Sequence, residues 1–199
     1  MLDSGKICVM AMGFNEGKII EIFYVEKKGR KIPVILRYPK KNDMRGIWKF
    51  YNKVIRETEF LSRITPVSLK DEKKWLAGVL DGIKKKNKVQ LFAESDGKII
   101  GSVSVEKRTI ERRRHVGGYG ICILQGFTGL GIGKRMTQAI EKEAKNLDIE
   151  MLELSVYGRN KIAQGMYRKM GYTPAGRIPC AIKVRKGFDD EIIMYKVLK

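Results

Sequence analysis

The chain has 199 residues, enough for one domain with a buried core, and its 43% apolar and 32% charged residues are those of a soluble globular protein. Its 41 Lys and Arg outweigh 22 Asp and Glu to give a formal charge of +19, a field that attracts nucleic acid, acidic protein or a phosphorylated cofactor and that serves equally as a solvated surface. No apolar run reaches the ~18–20 residues that span a bilayer, and no small-residue cleavage site follows the apolar stretch at 7–12, so a cytoplasmic protein without signal peptide or membrane contact is expected. One histidine, His115, and three scattered cysteines, Cys8, Cys122 and Cys180, leave little from which to build a zinc site, a Ser-His-Asp triad or a disulfide; three reduced, buried thiols are expected.

In chain order, residues 6–12, 18–25 and 31–38 read as three strands joined by turns at 14–17 and 27–30. Two amphipathic helices follow. Asp43 is placed to cap the first, whose Met44, Ile47, Tyr51, Val54 and Ile55 share one face. Ser68 caps the second, with Trp75, Leu76, Val79, Leu80 and Ile83 inward. The period then switches to two. Residues 89–94 and 99–106 form a hairpin around Asp96-Gly97, a pair suited to the positive φ angles of such a turn. A strand at 116–123 contains Gly117, Gly118 and Gly120, which leave room for a close backbone approach. A helix at 131–147 turns Ile132, Met136, Ile140 and Leu147 inward. A strand at 151–157 leads to a short helix at 160–170 that stops at Gly171. Strands at 178–184 and 191–198 end the chain around Lys186-Gly187. The order predicts an α/β arrangement, a mixed sheet with helices on its faces.

The sharpest local feature is Thr128-Gly129-Leu130-Gly131-Ile132-Gly133-Lys134, between a strand and a helix. Glycines there let successive backbone N–H groups converge, and the helix start adds its positive dipole end; together they suit a pyrophosphate. Spacing separates the loops that work this way. A P-loop needs Gly at position 128 and Ser or Thr after Lys134, where the chain has Thr128 and Arg135. A dinucleotide fingerprint counted from Gly129 needs Gly at 134. What remains is Gly129-x-Gly131-x-Gly133.

Downstream come Gly158-Arg159-Asn160, Ala163, Met166-Tyr167 and Gly171-Tyr172. With these, the chain from about Val34 to Leu198 resembles the GNAT superfamily of N-acetyltransferases, most strongly from His115 to Tyr172. The resemblance implies a twisted mixed sheet with helices on both faces, whose family strands four and five splay apart around acetyl-coenzyme A. It implies that the backbone of Ile121, Cys122 and Ile123 pairs with the pantetheine arm, and that an N–H near Ile123 polarises the thioester carbonyl. It implies further that Gly129 to Lys134 hold the pyrophosphate, that Asn160 hydrogen-bonds the cofactor, and that Tyr167 is the general acid. The reaction it implies is direct transfer of acetyl to a primary amine, on a protein, a peptide or a small molecule. Two positions depart from the family: Thr128 stands where most members have Arg or Gln, and Ser155 where many that acetylate protein N-termini have Glu. The general base is therefore open, with Glu59, Glu106, His115 or a water as candidates. Cys122 is expected to be a small buried residue and not a nucleophile. Residues 1–33 are expected to be a strand extension packed on an acetyltransferase domain of residues 34–199, able to extend the sheet or to mediate a homodimer. The rival expectation is a GNAT-like binding module that has lost its chemistry and keeps a basic face for nucleic acid or the ribosome.

Overall fold

A hairpin whose turn takes two left-handed residues opens the sheet. Lys28 and Gly29 sit at φ 51° and 71° between β1 (Ile19–Lys27) and β2 (Arg30–Arg37). The same geometry recurs at Asp96 and Gly97, φ 48° and 68°, between β3 (Lys88–Ser95) and β4 (Lys98–Lys107). Such turns match the right-handed twist of the strands they join, as the Asp-Gly pair predicts. These coordinates come from a computed structural model that describes residues 16–198; the strand expected at 6–12 and Cys8 lie outside it.

Between the hairpins run α1 (Met44–Glu57) and α2 (Leu69–Lys84). After them come β5 (Val116–Ile123), α3 (Ile132–Lys145), β6 (Met151–Tyr157), α4 (Lys161–Lys169), β7 (Thr173–Lys183) and β8 (Phe188–Val197). All eight described strands join one sheet in the order β1-β2-β3-β4-β5-β6-β8-β7. Every neighbouring pair is antiparallel except β5 with β6, which run parallel for three residues only, Val116–Gly118 against Met151–Glu153.

Alternation along the strands assigns the two faces. A Cβ at Gly101 of β4 would lie 3.0 Å from the sulfur of Met136, so odd positions from Gly101 onward face α3, while Ile99, before a register shift, faces Gly46 of α1. Tyr119 of β5 faces the same way, its hydroxyl 2.8 Å from Thr137 Oγ1. Even positions of β4 and β5 face α1 and α2. The core fills both sides with Leu36, Ile47, Leu91, Phe92, Val103, Ile132, Met136, Ile140, Leu152 and Met194, all nearly inaccessible.

Three expectations need correction. Ser68 caps α2 through Oγ, which accepts from Asp71 N at 3.1 Å, but Asp43 does not cap α1 with its side chain. Its carboxylate accepts two bonds from buried Arg37, at 2.7 and 2.9 Å, and one from Lys40 N at 2.7 Å. A guanidinium offers two charge-assisted donors, a stronger claim than one cap. Trp75 is 40% exposed, because α2 turns that flank toward an open cleft and packs on the core through Leu76, Val79 and Ile83. Cys180 is exposed at φ 54° on β7, an edge strand open to solvent, and Cys122 is half-buried.

Arg37 Nε also donates to Glu94 at 2.7 Å, so one buried cation ties β2 to β3 and to the start of α1. Burial alone would lower its pKa; the bonds to Asp43 and Glu94 more than reverse that. Arg37→Met leaves both carboxylates without their cation and is expected to cost about 3–5 kcal/mol in urea unfolding. A loss under about 1 kcal/mol would mean the pair acts as an exposed one.

Candidate active site

The short contact between β5 and β6 creates the site. His115 O accepts from both Glu150 N and Met151 N, and Gly117 lets the strands close: a Cβ there would sit 2.5 Å from Val105 Cγ1 and 3.1 Å from Ile149 and Leu152. The closeness expected around the β5 glycines is thus packing at Gly117. Gly118 lies under the Arg108 guanidinium, and Gly120 is open apart from Ser104 Oγ at 3.8 Å. Beyond Gly118 the strands part, and β6 stays with β8 along its whole length.

Parity decides which backbone groups face the gap. Arg108 N donates to Val116 O and Leu124 N to Ile100 O, so even residues of β5 exchange their bonds with β4. Ile121 and Ile123 therefore turn N–H and C=O toward β6, where no strand pairs them. Cys122 turns its backbone to Ser102 of β4 and its side chain to the α1 and α2 face. It enters the site as a wall. Burial pushes its thiol up to about 12.

At the end of β5, residues 125–127 make one 3₁₀ turn, closed by Thr128 Oγ1 donating to Gln125 O at 2.8 Å. Glu57 at the end of α1 accepts from Gln125 N at 2.8 Å. Gly129 and Gly131 follow at φ 75° and 78°, each with nothing near a would-be Cβ, and Gly131 is the N-cap of α3. Leu130 is half-buried, Ile132 anchors in the core, Gly133 packs under Ile123 and Met166, and Lys134 is exposed. The first hairpin supports this loop from outside: Lys27 Nζ lies 3.5 Å above the Phe127 ring, and Glu21 pairs with Arg135 of α3.

The other wall is α4. Asn160 Oδ1 accepts from Ala163 N at 3.1 Å and caps the helix, while its Nδ2 has no partner among the described residues. Gln164, absent from the sequence reading, donates from Nε2 to Tyr157 O and Gly158 O, both at 2.9 Å, fastening α4 to the end of β6. A buried glutamine at helical spacing resembles surface polarity, so sequence offers no signal for it. Tyr167 is 7% exposed, edge-on to Tyr119 at 5.9 Å and tilted against Tyr172 at 5.6 Å. Its hydroxyl has no hydrogen-bond partner among the described residues. Burial first, then nearby Cys122, raises its pKa above the ordinary phenol value, so it holds its proton at neutral pH.

Together these walls line one open cleft of about 2440 Å³ running through the sheet. The glycine loop, Ile121, Ile123, Asn160 and Tyr167 gather on its α3 and α4 side. Tyr51, Arg63, Glu72, Trp75, Ser155 and Glu191 line the side toward α1 and α2. The linker there is stapled to α1: Val67 O accepts from Trp48 Nε1 and Asn52 Nδ2, and Val67 N donates to Asn52 Oδ1.

Of the expected base candidates, Glu59 and Glu106 line the cleft, each beside a cation, and His115 lies outside its lining. Glu59 is 74% exposed and 3.7 Å from Arg159; Glu106 pairs with Lys88 at 2.8 Å; His115 is exposed at the closed end of β5. The Ser155 hydroxyl donates to Glu191 of β8, which brings a carboxylate beside the position where sequence showed none.

A glycine cradle at a helix start, a strand with free backbone groups and a protonated phenol define an acyltransferase site. The chain belongs to the acetyltransferase (GNAT) family, whose model matches residues 50–172. It is 28% identical over 88 residues to an L-amino acid N-acetyltransferase of Escherichia coli K12, a match that spans 44% of this chain and 54% of that protein. It is 22% identical over 139 residues to an L-methionine sulfoximine/L-methionine sulfone acetyltransferase of Pseudomonas paraeruginosa, covering 69% and 78%. A GNAT-family acetyltransferase structure from Streptococcus pneumoniae superposes with a TM-score of 0.76 at 25% identity, over 83% of this chain and 99% of that one.

Asn160→Ala removes the α4 cap and is expected to lower stability by about 1 kcal/mol in urea unfolding, with Asn160→Ser recovering most of it. Equal losses in the two variants would show that the cap is not what Asn160 supplies.

Proposed function

We propose that this enzyme transfers acetyl from acetyl-coenzyme A directly to a primary amine. The observation that carries the reading is the wedge between β5 and β6, where Ile121 and Ile123 present unpaired backbone groups between an open glycine cradle and a protonated tyrosine. The residues fit the cofactor: Gly129 and Gly131 leave their Cβ positions clear, and the loop opens at the positive end of α3. When bound, acetyl-coenzyme A supplies the thioester whose carbonyl carbon receives the amine.

Backbone N–H groups from Gly129 to Lys134 would hold the pyrophosphate, and Asn160 Nδ2 is free to donate to the cofactor. Ile121 and Ile123 would pair with the pantetheine arm as a neighbouring strand does. The N–H of Ile123 would polarise the carbonyl oxygen. Tyr167 would supply a proton to the departing thiolate sulfur and recover one from the acylated nitrogen. Cys122 has no role as nucleophile in this reading: burial favours its neutral thiol, and direct transfer needs no covalent enzyme.

For the acceptor, relatives named for acting on L-amino acids and on L-methionine sulfone favour a small amine over a protein N-terminus. The rival reading, a basic module that binds nucleic acid or the ribosome without chemistry, draws on the charge of +19 and on Ser155 where many family members have Glu. The cradle, Asn160 and Tyr167 would have no use in it.

Calorimetry at physiological salt is expected to show acetyl-coenzyme A binding equally to wild type and Tyr167→Phe. Thiol release with L-methionine sulfone is expected to fall about a hundredfold in the variant. Absence of wild-type binding would sink the proposal, and undiminished turnover in the variant would remove Tyr167 as the acid.

A further inference from the structure

Among the carboxylates that line the cleft, one stands apart. Glu57 is held by Gln125 N, Glu59 by Arg159, Asp71 by Ser68, and Glu106 by Lys88. Glu153 is clamped by Arg108 and Arg113, and Glu191 accepts from Ser155. Glu72, in the first turn of α2, is 4% exposed, and its side chain has neither hydrogen bond nor ion pair among the described residues. Only the nearby charge of Arg63 and the positive end of α2 offset its burial, a cost that a ligand cation can reduce.

Its surroundings suit a cation. Tyr51 of α1 lies within electrostatic reach of both Glu72 and Cys122, so one short path joins this carboxylate to the middle of β5. Arg63 of the linker is the nearby positive charge, exposed and bonded through Nε to Thr65 O at 3.2 Å. On α2 itself Asp71 is already engaged by Ser68. The wall around them carries Trp75 and Val67, apolar surface for the body of a small molecule. A protein of charge +19 repels a cationic acceptor at long range, so a local anion is needed to seat one.

We propose that Glu72 seats the acceptor's ammonium group and is the base that takes its proton. This rests on the acetyl-transfer reading above. An amine arrives at neutral pH as ammonium, which has no lone pair to attack with. One N–H bond of R–NH₃⁺ breaks and an O–H bond forms on Glu72, leaving the neutral amine with its electron pair. Glu72 later returns that proton to solvent, the single proton the overall transfer releases.

Burial raises the Glu72 pKa, with Arg63 opposing, which brings the carboxylate nearer the working pH of a base. The folded state keeps this proton longer than the unfolded chain, so Glu72 costs nothing below the ordinary glutamate range, and stability is lost as pH rises through the raised value. Glu72→Gln is therefore expected to melt roughly 2–4 °C higher than wild type near pH ~8, the gap closing toward pH ~4. A carboxylate kept for structure would move the other way.

The test combines that melt with two more readouts on the full chain. Carbon-13 glutamate titration, with Glu72→Gln to assign the signal, is expected to show the Glu72 midpoint falling when n-butylammonium chloride is added. Thiol release with L-methionine sulfone is expected to drop about a hundredfold in Glu72→Gln while acetyl-coenzyme A binding is unchanged. A midpoint indifferent to the amine, or a variant that melts lower than wild type, overturns the proposal. If wild type fails to bind acetyl-coenzyme A, the acetyl-transfer reading falls instead, and the titration still decides whether Glu72 receives an amine.

Discussion

Everything in this molecule's chemistry depends on β5 and β6 staying together for three residues and then parting. A backbone N–H or C=O removed from water must find a partner, and a strand edge inside a protein normally finds it on the next strand. Here Gly117 permits tight closure at one end, and the pairing of β6 with β8 carries it away at the other. Ile121 and Ile123 are left with groups that a ligand with an amide backbone of its own can satisfy. The sheet is in effect two smaller sheets hinged at Val116–Gly118, and the cleft is the space between them.

The two ends of that cleft are furnished by opposite electrostatics. At one end the glycine loop offers N–H donors and a helix start, an environment for phosphate. At the other, the flank under α1 and α2 gathers carboxylates, most of them neutralised by arginine, lysine or hydroxyl donors. The strongly basic surface surrounds both. A field of that sign attracts anions at long range.

Support for these groups comes from elements far away in sequence. Glu57 of α1 steadies the turn before the glycine loop, and β1 presses on the same region through Lys27 and Glu21. Gln164 ties α4 to β6, and the rings of Tyr119 and Tyr172 confine Tyr167. The phenol is thus held by packing, its hydroxyl left without a partner among the described residues.

The sequence by itself determined the order of elements, because periods of two and 3.6 and the turn residues Asp96-Gly97 and Ser68 are local signals. It also determined the glycine loop and the Asn160 to Tyr167 spacing, since both are sets of residues at fixed short intervals. Only the tertiary structure decided which atoms the site uses. Strand parity, which separates Ile121 and Ile123 from Cys122, depends on register against β4. The bridge that Arg37 makes from Asp43 to Glu94 depends on β2 and β3 meeting. Glu191 beside Ser155 depends on a strand that comes 36 residues later. Glu72 reads as a surface residue of an amphipathic helix, because burial without a partner is a property of the neighbours, and no stretch of sequence contains its own neighbours.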